Sequence, residues 1–158
     1  MKQIAIAGLG VVGGGVADLL VNHAAVIEKN AGEEVRLKAV FTRTKKPDSP
    51  FASYFVSDFS EIEKAPEIDL VVETIGGCSV ALDVVTRALK AGKHVVTANK
   101  QLVAEHGLEL FALAKANGVN FLFEASVAGG IPVLNPLTRC LGANETTEVS
   151  GILDGTTN

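Results

Sequence analysis

Gly8-Leu9-Gly10-Val11-Val12-Gly13 follows a short apolar run, Ile4-Ala5-Ile6-Ala7, and opens a segment with helical spacing. In the order strand, glycine turn, helix, a G-x-G-x-x-G spacing has a mechanical meaning. Gly8 permits a tight turn, Gly10 leaves no Cβ between the backbone and a pyrophosphate, and Gly13 lets the helix pack close on the strand. The unpaired N–H groups and the dipole of the helix start then favour an anion. The ligand this implies is a dinucleotide, held by residues Gly8 to Gly13; the competing reading is a glycine turn that binds nothing.

Three further positions carry chemistry. At the end of the second apolar run, where an acid would take a ribose 2′-hydroxyl, the chain reads Phe41-Thr42-Arg43-Thr44-Lys45-Lys46. A guanidinium suits a 2′-phosphate, so Arg43 points to NADP over NAD; it equally reads as one of three cations in a solvated loop. A second glycine pair, Thr74-Ile75-Gly76-Gly77, again lets backbone approach a ligand, with Thr74 as a candidate contact. Lys100, in Ala98-Asn99-Lys100, follows another apolar run, and the carboxyl ends of strands are where open α/β sheets bind ligands. Its ammonium would lie beside the reacting groups; otherwise it is a surface lysine opening a loop. Cys78 stands at a helix start, where a thiol pKa can fall, but no base partner is visible and an inert thiol is expected. Cys78 and Cys140 are too few and too far apart for a disulfide framework or a zinc site, and buried thiols in a reducing cytoplasm are expected. His106 is given no role.

The elements that must position these residues alternate. Strands are expected at 4–7, 35–41, 69–73, 94–97 and 120–123. One helix is expected from Val12 through Ile27, its apolar stripe including His23 as a packed histidine. Gly14 and Gly15 in its first turns each cost about 1 kcal/mol relative to Ala, so a close approach to strand or cofactor should compensate. Further helices are expected at 59–64, 80–90 and 108–116, the stretch 47–57 being loop. The order β-α-β-(α)-β-α-β-α-β predicts a Rossmann-type doubly wound parallel sheet with helices on both faces. At 158 residues, 47% hydrophobic and 20% charged, the chain is long enough for a proper core. Its net charge of −4 without a basic block suggests neither nucleic acid nor an anionic membrane as partner. No apolar run is long enough to span a bilayer, and Met1-Lys2-Gln3 leads straight into a strand, leaving no room for a signal peptide. A cytoplasmic location is expected.

Beyond the fifth strand the chain reads Glu124-Ala125-Ser126-Val127-Ala128-Gly129-Gly130-Ile131-Pro132, and it closes with Gly151-Ile152-Leu153-Asp154-Gly155-Thr156-Thr157-Asn158. With Glu73-Thr74-Ile75-Gly76-Gly77 and Val96-Thr97-Ala98-Asn99-Lys100, these runs resemble homoserine dehydrogenase, in order and over nearly the whole chain. The resemblance implies reversible, NAD(P)-dependent interconversion of L-homoserine and L-aspartate 4-semialdehyde, in threonine, methionine and isoleucine synthesis, by a homodimer. It places Lys100 near nicotinamide and substrate oxygen, Gly155 and Thr156 at the substrate, and Glu124, Val127, Gly129 and Ile131 around a monovalent cation, sodium. Asp154 departs from the family's asparagine, which changes local charge and removes two donors.

By the same resemblance, residues 1–130 form the NAD(P)-binding domain and 131–158 begin a second, α+β catalytic and dimerisation domain. Its remainder, with a second lysine and acidic substrate contacts, lies beyond Asn158. The expectation is a fragment that binds NADP(H) but hardly turns over homoserine, with a strand at 146–153 left without sheet partners. Two other readings are an oxidoreductase with a similar first half, such as an aspartate dehydrogenase, and a non-catalytic nucleotide-sensing module. The first would not be expected to carry both E-A-S-V-A-G-G-I-P and G-I-L-D-G-T-T-N.

Overall fold

The computed structural model describes residues 1–44 and 47–150. Lys45, Lys46 and the closing run with Asp154, Gly155 and Thr156 lie outside the described residues.

Residues Ile4 to Ala7 are buried on both faces, which makes their strand the centre of the sheet. The strands are β1 (Lys2–Ala7), β2 (Val35–Phe41), β3 (Phe55–Val56), β4 (Leu70–Glu73), β5 (His94–Thr97) and β6 (Phe121–Leu122). All pair in parallel, in the order β3-β2-β1-β4-β5-β6. Ile4 and Ile6 point to one face and pack with Ala17, Leu20, Leu37, Val40 and Phe51. Ala5 and Ala7 point to the other, where their small side chains admit Val71, Val84, Val85, Ala88 and Leu89. The helices α1 (Val11–Asn22), α2 (Ala24–Ala31), α3 (Ser60–Glu63), α4 (Ser79–Lys90) and α5 (Lys100–Ala116) cover the two faces. The expected doubly wound sheet is therefore the observed one, and every parallel strand delivers its carboxyl end to the same edge.

Two sets of polar contacts hold the opposite edge. Lys93, 3% exposed, donates from Nζ to the carbonyls of Ala65 at 2.5 Å and Ile68 at 3.0 Å. Burial pulls this ammonium below the usual lysine range. Asp69 accepts from the Gln3 N–H at 2.8 Å and from Lys2 Nζ at 3.1 Å, tying the start of β4 to that of β1.

Several expectations need correction. The first helix is two: α1 ends at His23, whose N–H donates to Leu19 O, and α2 leaves at 83°. The bend returns Ile27 to the same core, while His23 is exposed rather than packed. Nothing lies within 4 Å of a Cβ at Gly14 or Gly15, so no close approach to the strand offsets their cost. The last long helix starts at Lys100, eight residues before the expected start, because the Asn99 side chain accepts from the Leu102 N–H and caps it. β3 lies within the stretch 47–57 expected to be loop; it is two residues long and pairs with Val40 and Phe41. After Pro132 the chain becomes helical at Leu134 and continues as a π turn over Pro136–Cys140. No strand forms over the described residues 146–150. The cysteines are not buried: Cys78 is half-buried and Cys140 exposed.

Candidate functional site

The glycine turn is built by exclusion. Gly8, at φ +100°, donates its N–H to Phe41 O at 2.8 Å, and a Cβ there would fall 2.7 Å from Thr74 C and O. A Cβ at Gly13 would stand 1.9 Å from Gly8 O and 2.6 Å from Thr74 Oγ1. Gly10 is the opposite case, with nothing within 4 Å. Thr74 spends its hydroxyl on Gly8 O at 2.7 Å and its N–H on Ala7 O at 2.8 Å, so it braces the turn from β4. The α1 ladder begins with Gly14 N–H donating to Gly10 O, and no side chain caps the helix. Among the described residues, no protein acceptor takes the N–H groups of Leu9, Gly10, Val11, Val12 and Gly13. A helix start with its first donors unspent is an anion site in waiting.

Leu9 and Gly10, at the head of this row, line a cleft of about 960 Å³ at the point where the strand order reverses between β1 and β4. Its walls come from the ends of three strands: Gly8 to Gly10 after β1, Phe41 to Thr44 after β2, and Thr74 to Val80 after β4. Arg43 is in that wall. Gly13 is buried beneath it, and Val11, 95% exposed, and Val12 form the first helical turn at its rim. Lys100 is exposed on the first turn of α5 and does not line the cleft.

What joins Lys100 to the cleft is a buried network that sequence reasoning missed. Glu73 is fully buried; one carboxylate oxygen accepts from the Ile75 N–H at 2.7 Å and the other from Thr97 Oγ1 at 2.5 Å. Thr97 Oγ1 accepts in turn from the Asn99 N–H at 3.0 Å. Asn99 Nδ2 donates to Gly77 O at 2.7 Å while its Oδ1 caps α5. Gly76 and Gly77 take φ of +78° and +69°, a left-handed pair that only glycine adopts freely. One carboxylate thus holds the glycine pair, the end of β5 and the start of α5 in one arrangement. An acid ending an otherwise apolar strand was the available signal.

Farther on, Glu124 is also a clamp. Its carboxylate accepts from the N–H groups of Val133 at 2.5 Å, Leu134 at 2.8 Å and Asn135 at 2.9 Å. Burial pushes this carboxyl upward, and the three donors outweigh it, leaving it below the ordinary range. The intervening turn has Ala128 and Gly129 at φ +57° and +60°. Among the described residues none donates to the carbonyls of Val127, Gly129 and Ile131. The Glu124 side chain is largely committed to its backbone donors. Cys78, expected to be an inert thiol, has its pKa pushed up, first by burial and then by Glu105, which keeps it protonated.

A parallel sheet in this strand order, with an uncapped glycine turn at the reversal, defines a Rossmann-type dinucleotide-binding domain. The family model described as homoserine dehydrogenase, NAD binding domain, matches residues 8–124, and the chain belongs to that family. The homoserine dehydrogenase of Pseudomonas aeruginosa is 43% identical over 157 residues, covering 99% of this chain and 36% of the relative. That of Neisseria gonorrhoeae is 41% identical over 158 residues, with 99% and 36% covered. The crystal structure of a homoserine dehydrogenase from Thiobacillus denitrificans matches with a TM-score of 0.83 at 43% identity, over 90% of this chain and 34% of that one. The chain thus spans about a third of the length of the relatives it matches.

Proposed function

We propose that this chain is the nucleotide-binding part of a homoserine dehydrogenase, residues 1–130 holding NADP(H) and 131–158 beginning the substrate domain. The observation that carries this reading is the row of unspent N–H groups from Leu9 to Gly13, which begins in the cleft wall at Leu9 and Gly10. Gly10 leaves room there for a pyrophosphate, and Arg43 in the wall meets a 2′-phosphate with a planar fork of donors. NADP is therefore the preferred cofactor, with NAD binding less tightly.

A bound nicotinamide nucleotide supplies the two-electron acceptor that an alcohol needs to become an aldehyde. The chain's own residues bind and orient. The Glu73 network fixes the glycine pair and the start of α5, and Lys100 on that first turn would serve the substrate oxygen. There a cation stabilises alkoxide character and can hold or release the hydroxyl proton. The carbonyls of Val127, Gly129 and Ile131, with Glu124 holding their turn, would take sodium. Gly155 and Thr156 would contact L-homoserine or aspartate 4-semialdehyde. With the family reading comes homodimerisation of the full-length protein.

Fluorescence titration with NADPH and NADH tests the nucleotide half. Saturable binding with NADPH favoured is expected, and absence of saturable binding of either would overturn it. For the reaction, homoserine-dependent NADP⁺ reduction is measured on polypeptide that includes the substrate domain. There Lys100→Met should lower kcat at least a hundredfold with nucleotide affinity little changed.

A further inference from the structure

Cys78 faces a second set of groups across the joint between α4 and α5. It immediately precedes α4 and is half-buried, while Glu105 and His106 stand on the second turn of α5. Cys78 Sγ, a Glu105 carboxylate oxygen and a ring nitrogen of His106 all lie within 4.8 Å of one another. The two elements are held in this relation by the Asn99 amide, which starts α5 and donates to the carbonyl of Gly77, next to Cys78. A fourth group stands behind the third: Glu109 Oε1 is 2.6 Å from His106 Nδ1.

We propose that Cys78, Glu105 and His106 form a binding site for a divalent cation of the zinc class. Sulfur, imidazole nitrogen and carboxylate oxygen together are the donor set of zinc rather than of magnesium or calcium, which want oxygen alone. Zinc–ligand lengths of 2.0–2.3 Å put tetrahedral donors roughly 3.5 Å apart, so the triangle closes by about an ångström through side-chain rotation. Glu109 serves in either orientation of the ring. With Nε2 as ligand it accepts from Nδ1–H and fixes the tautomer, the usual carboxylate–histidine support; with Nδ1 as ligand its oxygen becomes the fourth donor. On coordination the thiol proton leaves to solvent, and thiolate and carboxylate together balance the 2+ charge. Cys78 also stands in the cleft wall, whereas Glu105 and His106 do not line the cleft, and the cation is held by these side chains without any contribution from the nucleotide.

Cobalt(II), a spectroscopic stand-in for zinc, is titrated into the reduced chain. A one-to-one endpoint is expected, with tetrahedral visible bands and a near-ultraviolet thiolate-to-cobalt charge-transfer band, all erased by added zinc. Cys78→Ser should abolish the charge-transfer band and His106→Ala should weaken binding at least tenfold, whereas Cys140→Ser should change nothing. Circular dichroism checks the fold of each variant, and NADPH titration is scored separately. If Cys78→Ser does not fold, the wild-type chain decides: zinc should slow alkylation of Cys78 and leave that of Cys140 unaltered. A missing thiolate band, the same band in folded Cys78→Ser, or alkylation of Cys78 indifferent to zinc would overturn the proposal.

Discussion

Two glycines three residues apart have opposite jobs, and their variants should separate fold from function. At Gly13 a Cβ would overlap Gly8 O at 1.9 Å, a backbone atom that cannot step aside. Gly13→Ala should therefore destabilise the chain by about 3 kcal/mol, read as a lowered urea midpoint. At Gly10 a Cβ meets no protein atom within 4 Å. Gly10→Ala should leave the midpoint nearly unchanged and weaken NADPH at least tenfold in a fluorescence titration. Arg43 yields a third contrast: Arg43→Gln should weaken NADPH roughly tenfold and NADH hardly at all, because only the former carries the 2′-phosphate. The spacing of Gly8, Gly10 and Gly13 was legible because the motif is local. Their separate tasks were legible for the same reason, whereas the brace from Thr74 was not, since folding brings it up from another strand.

At the scale of elements, the joint between β4, β5 and α5 is the part the sequence concealed. Thr97-Ala98-Asn99-Lys100 reads as the end of a strand followed by loop, yet Asn99 caps a 17-residue helix. Asn99→Ala should cost about 1 kcal/mol for the cap and more for the lost bond to Gly77 O, with a parallel loss of NADPH affinity. The break at His23 was hidden for a different reason. Apolar residues keep helical spacing through it, and only packing of Ile27 against the sheet shows the turn. On the far edge, Asp69 supplies a pH signature. The Gln3 N–H and Lys2 hold its carboxyl below the usual range against the opposing effect of burial. A depressed carboxyl contributes its full stability above the unfolded pKa, near 3.8, and loses it as pH falls through the lower folded value. Urea titrations should give Asp69→Asn a constant deficit from pH 8 to about pH 5, shrinking at about pH 4 and below.

For the molecule as a whole, parallel pairing follows from the β-α alternation and the right-handed crossover, so the doubly wound fold could be read from the sequence. Where the strand order reverses, and therefore where the cleft opens, needed the register of β1 against both β2 and β4. No single described helix is long and apolar enough to cross a membrane. Residues that the family reading assigns to substrate, Gly155 and Thr156, lie outside the described residues, so the site seen here is the nucleotide's. The whole account turns on backbone amides that no protein group occupies. Amide chemical-shift mapping of the isotopically labelled chain during NADPH titration observes them directly. The largest saturable shifts should fall on Leu9 to Gly13 and on Ile75 to Gly77, with Arg43 responding to NADPH and not to NADH. Unmoved Leu9 to Gly13 amides at saturating nucleotide would contradict it.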